Sequence, residues 1–155
     1  VVDFTEILNK KAADTEEPKP LPTGTYLAAV QSLPEQRTVE TKEGDRGVLR
    51  FKCKIISPVA EVDMEKLAEA APDLATVMPQ NHDIWVDTPQ GEFALQQFLK
   101  ETLGLELQDG KNKKSYSELL PESVGKQLLI TIIHKMGMRD GKPTIFVNIG
   151  SVAHV

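Results

Sequence analysis

"VLRFKCKII", residues 48–56, alternates between two kinds of side chain. Successive side chains of an extended strand leave opposite faces, so Leu49, Phe51, Cys53 and Ile55 share an apolar face and Arg50, Lys52 and Lys54 a cationic one. The apolar face requires sheet partners and a core. The cationic row requires solvent or an anion, so this one strand sets both the architecture and the kind of surface to look for.

Outward from it, an upstream strand is predicted at 25–33, "TYLAAVQSL", where Tyr26, Ala28 and Val30 alternate with Leu27, Ala29 and Gln31. The connection "PEQRTVETKEGDRG" (34–47) is polar, rich in turn formers and reads as a long loop. The opening strand closes at Ser57-Pro58. Residues 59–81 read as a helical insertion: Asp63 is the N-cap, Met64, Leu67, Ala68 and Ala71 recur at helical spacing, and Pro72 stops it. A third strand, "HDIWVDT" (82–88), places Ile84 and Val86 on one face and Asp83, Trp85 and Asp87 on the other.

Thr88-Pro89 is a cap-plus-first-position signal for a helix with Phe93, Leu95, Phe98, Leu99 and Leu103 along its apolar side, ended by Gly104. After "QDGKNKK", "SYSE" (115–118) reads as a capping box on a short helix broken at Pro121. Two strands follow, 126–135 and 143–152, joined by "MGMRDG" with an Asp140-Gly141 hairpin signal. The expected class is mainly β with helices. Five strands, a helix between the third and fourth and a helical insertion between the second and third are the element order of the OB-fold, a small Greek-key barrel. An α+β sandwich with the same elements laid open is the competing architecture.

A chain of 155 residues with 40% hydrophobic content supports one domain with its own core. We place it at 23–155, preceded by a flexible N-terminal arm, 1–22, that holds a small apolar cluster (Phe4, Ile7, Leu8) and ends in "EPKPLP". The net charge of -5 argues against a protein that coats duplex DNA indiscriminately. Local charge is more informative. Carboxylates concentrate in the arm (Asp3, Glu6, Asp14, Glu16, Glu17) and at 61–73, whereas 46–54 holds Arg46, Arg50, Lys52 and Lys54 with none, and 134–142 holds His134, Lys135, Arg139 and Lys142 against Asp140 alone.

In an OB barrel the outward face of strands 2 and 3, flanked by the 1–2 and 4–5 loops, is where oligonucleotides lie. Arg50, Lys52 and Lys54 would neutralise phosphates there, and Trp85 on the neighbouring strand would stack a base. Arg37, Lys42 and Arg46 in the 1–2 loop and Lys135, Arg139 and Lys142 around the 4–5 hairpin would wall the track, with Phe146 a second stacking candidate. Asp83 and Asp87 on the Trp85 face count against a uniformly cationic groove, and an alternating cationic face is often only the solvated side of a strand.

Catalytic signals are weak. His82, His134 and His154 have no metal-ligand spacing with one another or with Cys53, so neither a metal nor any other cofactor is expected. "GLELQDGKN" (104–112) has one residue too many between its glycines for a phosphate loop, with Asn112 where Ser or Thr belongs. Cys53 lies on the apolar strand face, the lone cysteine permits no intramolecular disulfide, and its role is packing. The N-terminus is too charged for a secretory signal and "LLITII" is far too short for a membrane span, so a soluble cytosolic protein without membrane partners is expected.

"PKPLPTGTYLAAV", "LRFKCKI", "VDMEKLAEA", "FALQQFLKETLGLEL" and above all "SELLPESVGKQLLITIIHKMGMRDGKPTIFVNIGSV" resemble, in order and over nearly the whole chain, a group of phage-encoded single-stranded DNA-binding proteins with an OB-fold. The resemblance implies a cytoplasmic role in the infected bacterial host: non-catalytic, sequence-independent protection of single-stranded DNA during phage replication or recombination. Many such proteins end in an acidic tail that recruits replication partners. Here the sequence stops at "SVAHV", so the expectation is that either such recruitment is absent or the acidic N-terminal arm substitutes for it in contacts with replication or recombination proteins. The rival expectations are a structural or assembly protein that uses the barrel for protein contacts, as a homo-oligomer with exchanged arms, and an RNA-binding module.

Overall fold

The computed structural model describes residues 3–14, 18–107 and 113–155. Glu16, Glu17 and all of "QDGKN" (108–112) lie outside the described residues. Six strands form one antiparallel sheet: β1 Gly24–Val30, β2 Glu35–Thr41, β3 Gly44–Ala60, β4 Gln80–Trp85, β5 Gln127–Arg139 and β6 Lys142–Ala153. The helices are α1 Phe4–Asn9, α2 Met64–Ala70, α3 Pro89–Leu103 and α4 Tyr116–Ser123.

The 17-residue β3 organises the sheet. Its second half pairs with β1, with Val30 opposite Cys53, and its first half pairs with β2 along the same edge, with Glu35 opposite Arg50. β4 pairs on the opposite edge, Trp85 against Val48 and Asn81 against Lys52. β1 then pairs with β5, and β5 with β6. Strand order is β2-β3-β1-β5-β6 with β4 beside β3. β4 and β6 approach one another, yet among the described residues no ladder joins them and the sheet is not closed.

Alternation along β1, β3 and β5 sends Tyr26, Ala28, Val30, Phe51, Cys53, Ile55, Leu128, Ile130 and Ile132 into one core. Helix α3 covers it with Leu95, Phe98 and Leu99, and the Phe98 ring lies 4.2 Å from that of Phe51. Thr88 caps α3 by accepting from the Gly91 N–H at 3.0 Å, Pro89 opens it, and Gly104 closes it in the left-handed conformation. Gly91 is required for a further reason: a Cβ there would sit 1.3 Å from the Trp85 carbonyl oxygen, so the helix seats directly against the end of β4. Cys53 is buried as expected, and burial pushes its thiol up to about 12.

Several sequence expectations need correction. The five-stranded barrel becomes six strands in an open sheet. The extra strand, β2, lies inside the segment read as a loop: Thr41 faces Gly44 across a tight Lys42-Glu43 turn, and β2 reads as polar because almost all of it is solvent-exposed. β3 continues through Ser57-Pro58, and the helical insertion shrinks to α2, capped by Asp63, followed by a short turn at Leu74–Thr76. α4 runs through Pro121, and Ser115 contacts the side chains of Ser117 and Glu118 instead of capping the backbone. The arm ends earlier than residue 22: Leu21 and Pro22 are buried, Tyr26 donates to the Pro22 carbonyl at 2.6 Å, and His134 Nε2 donates to that of Leu21 at 2.7 Å. The Asp140-Gly141 hairpin turn forms as expected, with φ of 52° and 77°.

Candidate nucleic-acid interface

The face of β3 turned away from the core carries Arg46, Val48, Arg50, Lys52 and Lys54. Cross-strand pairing extends it on both sides, because residues directly opposite in an antiparallel pair share a face. β2 contributes Glu35, Arg37 and Val39, and β4 contributes Asn81, Asp83 and Trp85. The three predicted cations and the lone indole therefore share one open surface. Trp85 is 39% exposed: it lies in the surface, across from the buried Val48, and is not sealed in the core.

The cations of that floor are not free. Arg50 makes two parallel hydrogen bonds to Asp83, at 2.8 and 2.9 Å, and Lys52 pairs with Glu35 at 2.9 Å. Arg46 donates to Asp87 at 2.9 Å while its guanidinium stands 4.9 Å from the Trp85 ring centroid, pinning the indole by a cation–π contact. Lys54 donates to the Ala75 and Val77 carbonyls at 2.8 and 2.6 Å, tethering the turn after α2. Hydrogen bonds from Arg50, Arg46 and Lys52 hold Asp83, Asp87 and Glu35 respectively below the usual carboxylate range. Arg46, Arg50 and Lys52 are thus matched by carboxylates and Lys54 is tied to carbonyls, so the floor's charge is largely balanced and the expected bare row of three cations is a row of committed ones.

The walls differ. Among the described residues, Arg37, Lys42, Lys135 and Lys142 make no ion pair, and Arg139 contacts only the Phe146 ring, at 5.9 Å. Arg37 and Lys42 belong to the β2–β3 hairpin on one side of the floor. Lys135, Arg139 and Lys142 belong to the β5–β6 hairpin on the other. Phe146 faces outward beside Lys135, but one side of its ring covers Gly137, where a Cβ would come within 2.5 Å; it braces the hairpin as well as offering a surface.

A cleft of about 550 Å³ runs where β4 and β6 fail to pair, lined by Arg50, Asn81, Asp83, Trp85, Lys135 and Asn148 among others. It joins three of the predicted residues, Arg50, Trp85 and Lys135, across the two halves of the sheet. Lys52 and Arg50 also border a second depression with Gln31, Glu35 and Asn81. Sequence reading missed Glu35, which sits in the segment taken as a loop, and the amides Asn81 and Asn148, which carry no distinctive spacing. The β-favouring Thr38, Val39 and Thr41 were the available, weak signal for β2. His82 points the other way: it stacks on Phe98 with centroids 5.4 Å apart, and burial lowers its pKa. No group of three or more potential metal ligands occurs among the described residues, and no described helix is long and apolar enough to cross a membrane.

No family model matches the chain, and no curated protein matches it. Among solved structures the chain is similar to yeast RPA bound to ssDNA, at 8% sequence identity and a TM-score of 0.37, covering 100% of this chain and 88% of that one. A likeness this distant carries no argument about fold or function.

Proposed function

We propose that the protein binds single-stranded DNA without catalysis, laying the strand over β3 and β4 between the β2–β3 and β5–β6 hairpins. The observation that carries this reading is the placement of one exposed indole on a floor of largely paired charges, flanked by two hairpins that carry, among the described residues, cations without an ion pair: Arg37 and Lys42 on one, Lys135, Arg139 and Lys142 on the other. An extended single strand presents phosphates along its edges and flat bases between them. Cations at the walls suit the first and a stacking ring with amides on the floor suits the second.

The pairing pattern supports an OB reading. β1 pairs with β3 and β5, β3 with β4, and β5 with β6, which is the order of a partly open OB barrel with its gap between β4 and β6. On that reading β2 is an elaboration of the loop between the first two barrel strands, and the β2–β3 and β5–β6 hairpins are the loops that flank an oligonucleotide, the first carrying as many carboxylates as cations and the second basic. The phage setting and the role in replication or recombination rest on the sequence resemblance alone.

The test is fluorescence anisotropy with labelled oligo-dT, the matching oligo-U and a duplex, at two salt concentrations, with Trp85 emission read in the same sample. Trp85 is the only tryptophan, so quenching reports directly on the floor. Binding of oligo-dT with quenching supports the proposal. Binding of duplex equal to that of oligo-dT, or binding without a change in emission, overturns it; tighter binding of oligo-U reassigns the same surface to RNA.

A further inference from the structure

Of the three histidines, two have ring nitrogens already committed. His134 Nε2 bonds to the Leu21 carbonyl and His154 Nδ1 to the Glu101 carbonyl, each at 2.7 Å. His82 differs: among the described residues no hydrogen bond or ion pair reaches its ring. It stands opposite the fully buried Phe51, so it lies on the core face of β4, where its ring stacks on Phe98 with centroids 5.4 Å apart. A sealed polar atom without a partner is costly, and no unexposed side chain among the described residues carries one. Both nitrogens of His82 therefore open onto solvent while the face of the ring is packed.

Two cavities bring solvent to this residue. One is the cleft of about 550 Å³ between β4 and β6, which His82 lines together with Trp85, Asn81, Asn148, Val147 and Ile149. The other, of about 410 Å³, lies between β4 and the start of α3 and is also lined by His82 and Trp85. The gap thus leads from the indole on the outer face to an unpartnered imidazole on the inner one. It runs between two strand edges that, among the described residues, have no ladder partner there.

We propose, building on the single-strand function above, that one base of the bound strand turns into the gap between β4 and β6 and hydrogen-bonds to the ring nitrogens of His82. The cleft is within the size range of small-molecule pockets and has their character, apolar walls with a few convergent polar groups. Val147 and Ile149 meet the flat of the base, and the amides of Asn81 and Asn148 stand at the rim. Burial lowers the pKa of His82 from 6.5, so at neutral pH the ring offers one donor and one acceptor. Every nucleobase edge carries both, so the site takes a base without demanding a sequence. A paired base cannot enter, which adds to the preference for single strands.

His82→Phe is the test, because phenylalanine keeps a ring against Phe98 and removes both nitrogens; an unchanged Tm and Trp85 emission verify the fold. Loss of a neutral hydrogen bond raises the oligo-dT Kd about 2- to 12-fold, with the salt slope unaltered. An oligomer of abasic deoxyribose phosphates of the same length carries the same charge and no base, and it binds parent and variant equally. In the parent, the ring ¹⁵N signals of His82 move when oligo-dT is added, those of His134 and His154 stay fixed, and the abasic oligomer moves none of them. Parent-like oligo-dT affinity in His82→Phe overturns the proposal, as do His82 signals that stay fixed or that move equally with the abasic oligomer. Either result with Trp85 still quenched by oligo-dT leaves the single-strand function standing and removes only the base pocket. Failure of oligo-dT to bind the parent removes both.

Discussion

Asp83→Asn isolates the role of the charge-balanced floor. In the structure Asp83 holds Arg50 in a two-bond pair at 2.8 and 2.9 Å, with Arg50 and Asp83 side chains 28% and 36% exposed. A pair this open contributes about 0.2–1 kcal/mol to stability, so the neutral amide leaves the protein folded. It also removes a negative charge from beside Trp85 and leaves the Arg50 guanidinium available to a phosphate. On the proposed function, oligo-dT binding at low salt tightens. Each added phosphate contact steepens the log–log salt dependence by about 0.7, so raising salt fourfold costs the variant about 2.6 times more affinity than the parent.

The assay is the anisotropy titration at 50 and 200 mM salt, extended to a double-mutant cycle with Arg50→Ala. If Arg50 is held back by Asp83 in the parent, Arg50→Ala alone changes the slope little, and the gain in Asp83→Asn disappears when Arg50 is also removed. Weaker binding by Asp83→Asn with an unaltered slope would refute the reasoning. That result would make the pair a brace for β4 and the floor a surface that phosphates never reach.

Trp85→Ala is expected to raise the oligo-dT Kd about 5- to 150-fold, the equivalent of ~1–3 kcal/mol of base stacking, with little change in salt slope; a flattened slope would mean the indole is not stacking. Gly91→Ala forces a Cβ into the Trp85 carbonyl and no rotamer relieves it, so a loss of at least ~3 kcal/mol is expected, read as a fall in Tm of about 6–12 °C. Cys53, pushed up to about 12 by burial, is expected to resist a thiol reagent at pH 8 until denaturant is added, and fast labelling of the native protein would place it outside the core. Asp83, Asp87 and Glu35 have folded-state values below their ordinary 3.8, 3.8 and 4.5, so their contribution to stability is complete above those values and disappears as pH falls through the lower folded ones. Thermal melts between pH 6 and pH 2 check this sign: stability must fall on acidification below about pH 4, and a rise there would contradict it.

The apolar alternation of residues 26–30, 51–55 and 128–132 was legible because a two-residue period admits one buried face, and the structure buries those side chains together. Thr88-Pro89 and Gly104 marked α3 because caps act through local backbone chemistry. β2 escaped because a strand exposed on both faces leaves no hydrophobic period, and its Lys42-Glu43 turn carries no Asn-Gly or Asp-Gly signature. The sharing of a face by Arg50, Lys52, Lys54 and Trp85 followed from parity alone. Their commitments did not: Glu35 reaches Lys52 across 17 positions and Asp83 reaches Arg50 across 33, and such pairs depend on which strands adjoin.

Those commitments bear on how a surface of this kind would tell one polyanion from another. A bare row of cations attracts any phosphate backbone, duplex included, and its affinity tracks charge alone. Here Arg46, Arg50 and Lys52 of the floor are balanced by carboxylates, Lys54 is held by carbonyls, and the cations without an ion pair among the described residues stand on the hairpins, in a chain whose net charge is -5. Long-range attraction is therefore weak, and a larger share of any binding energy must come from the indole and the amides beside it. Duplex hides its base faces and gains only the hairpin contacts, whereas an unpaired strand gains both. On the proposed function, the same carboxylates that weaken attraction to single strands are what make the preference over duplex large. Asp83→Asn should accordingly improve duplex binding by a greater factor than oligo-dT binding, and the reverse ratio would mean that discrimination arises elsewhere on the molecule.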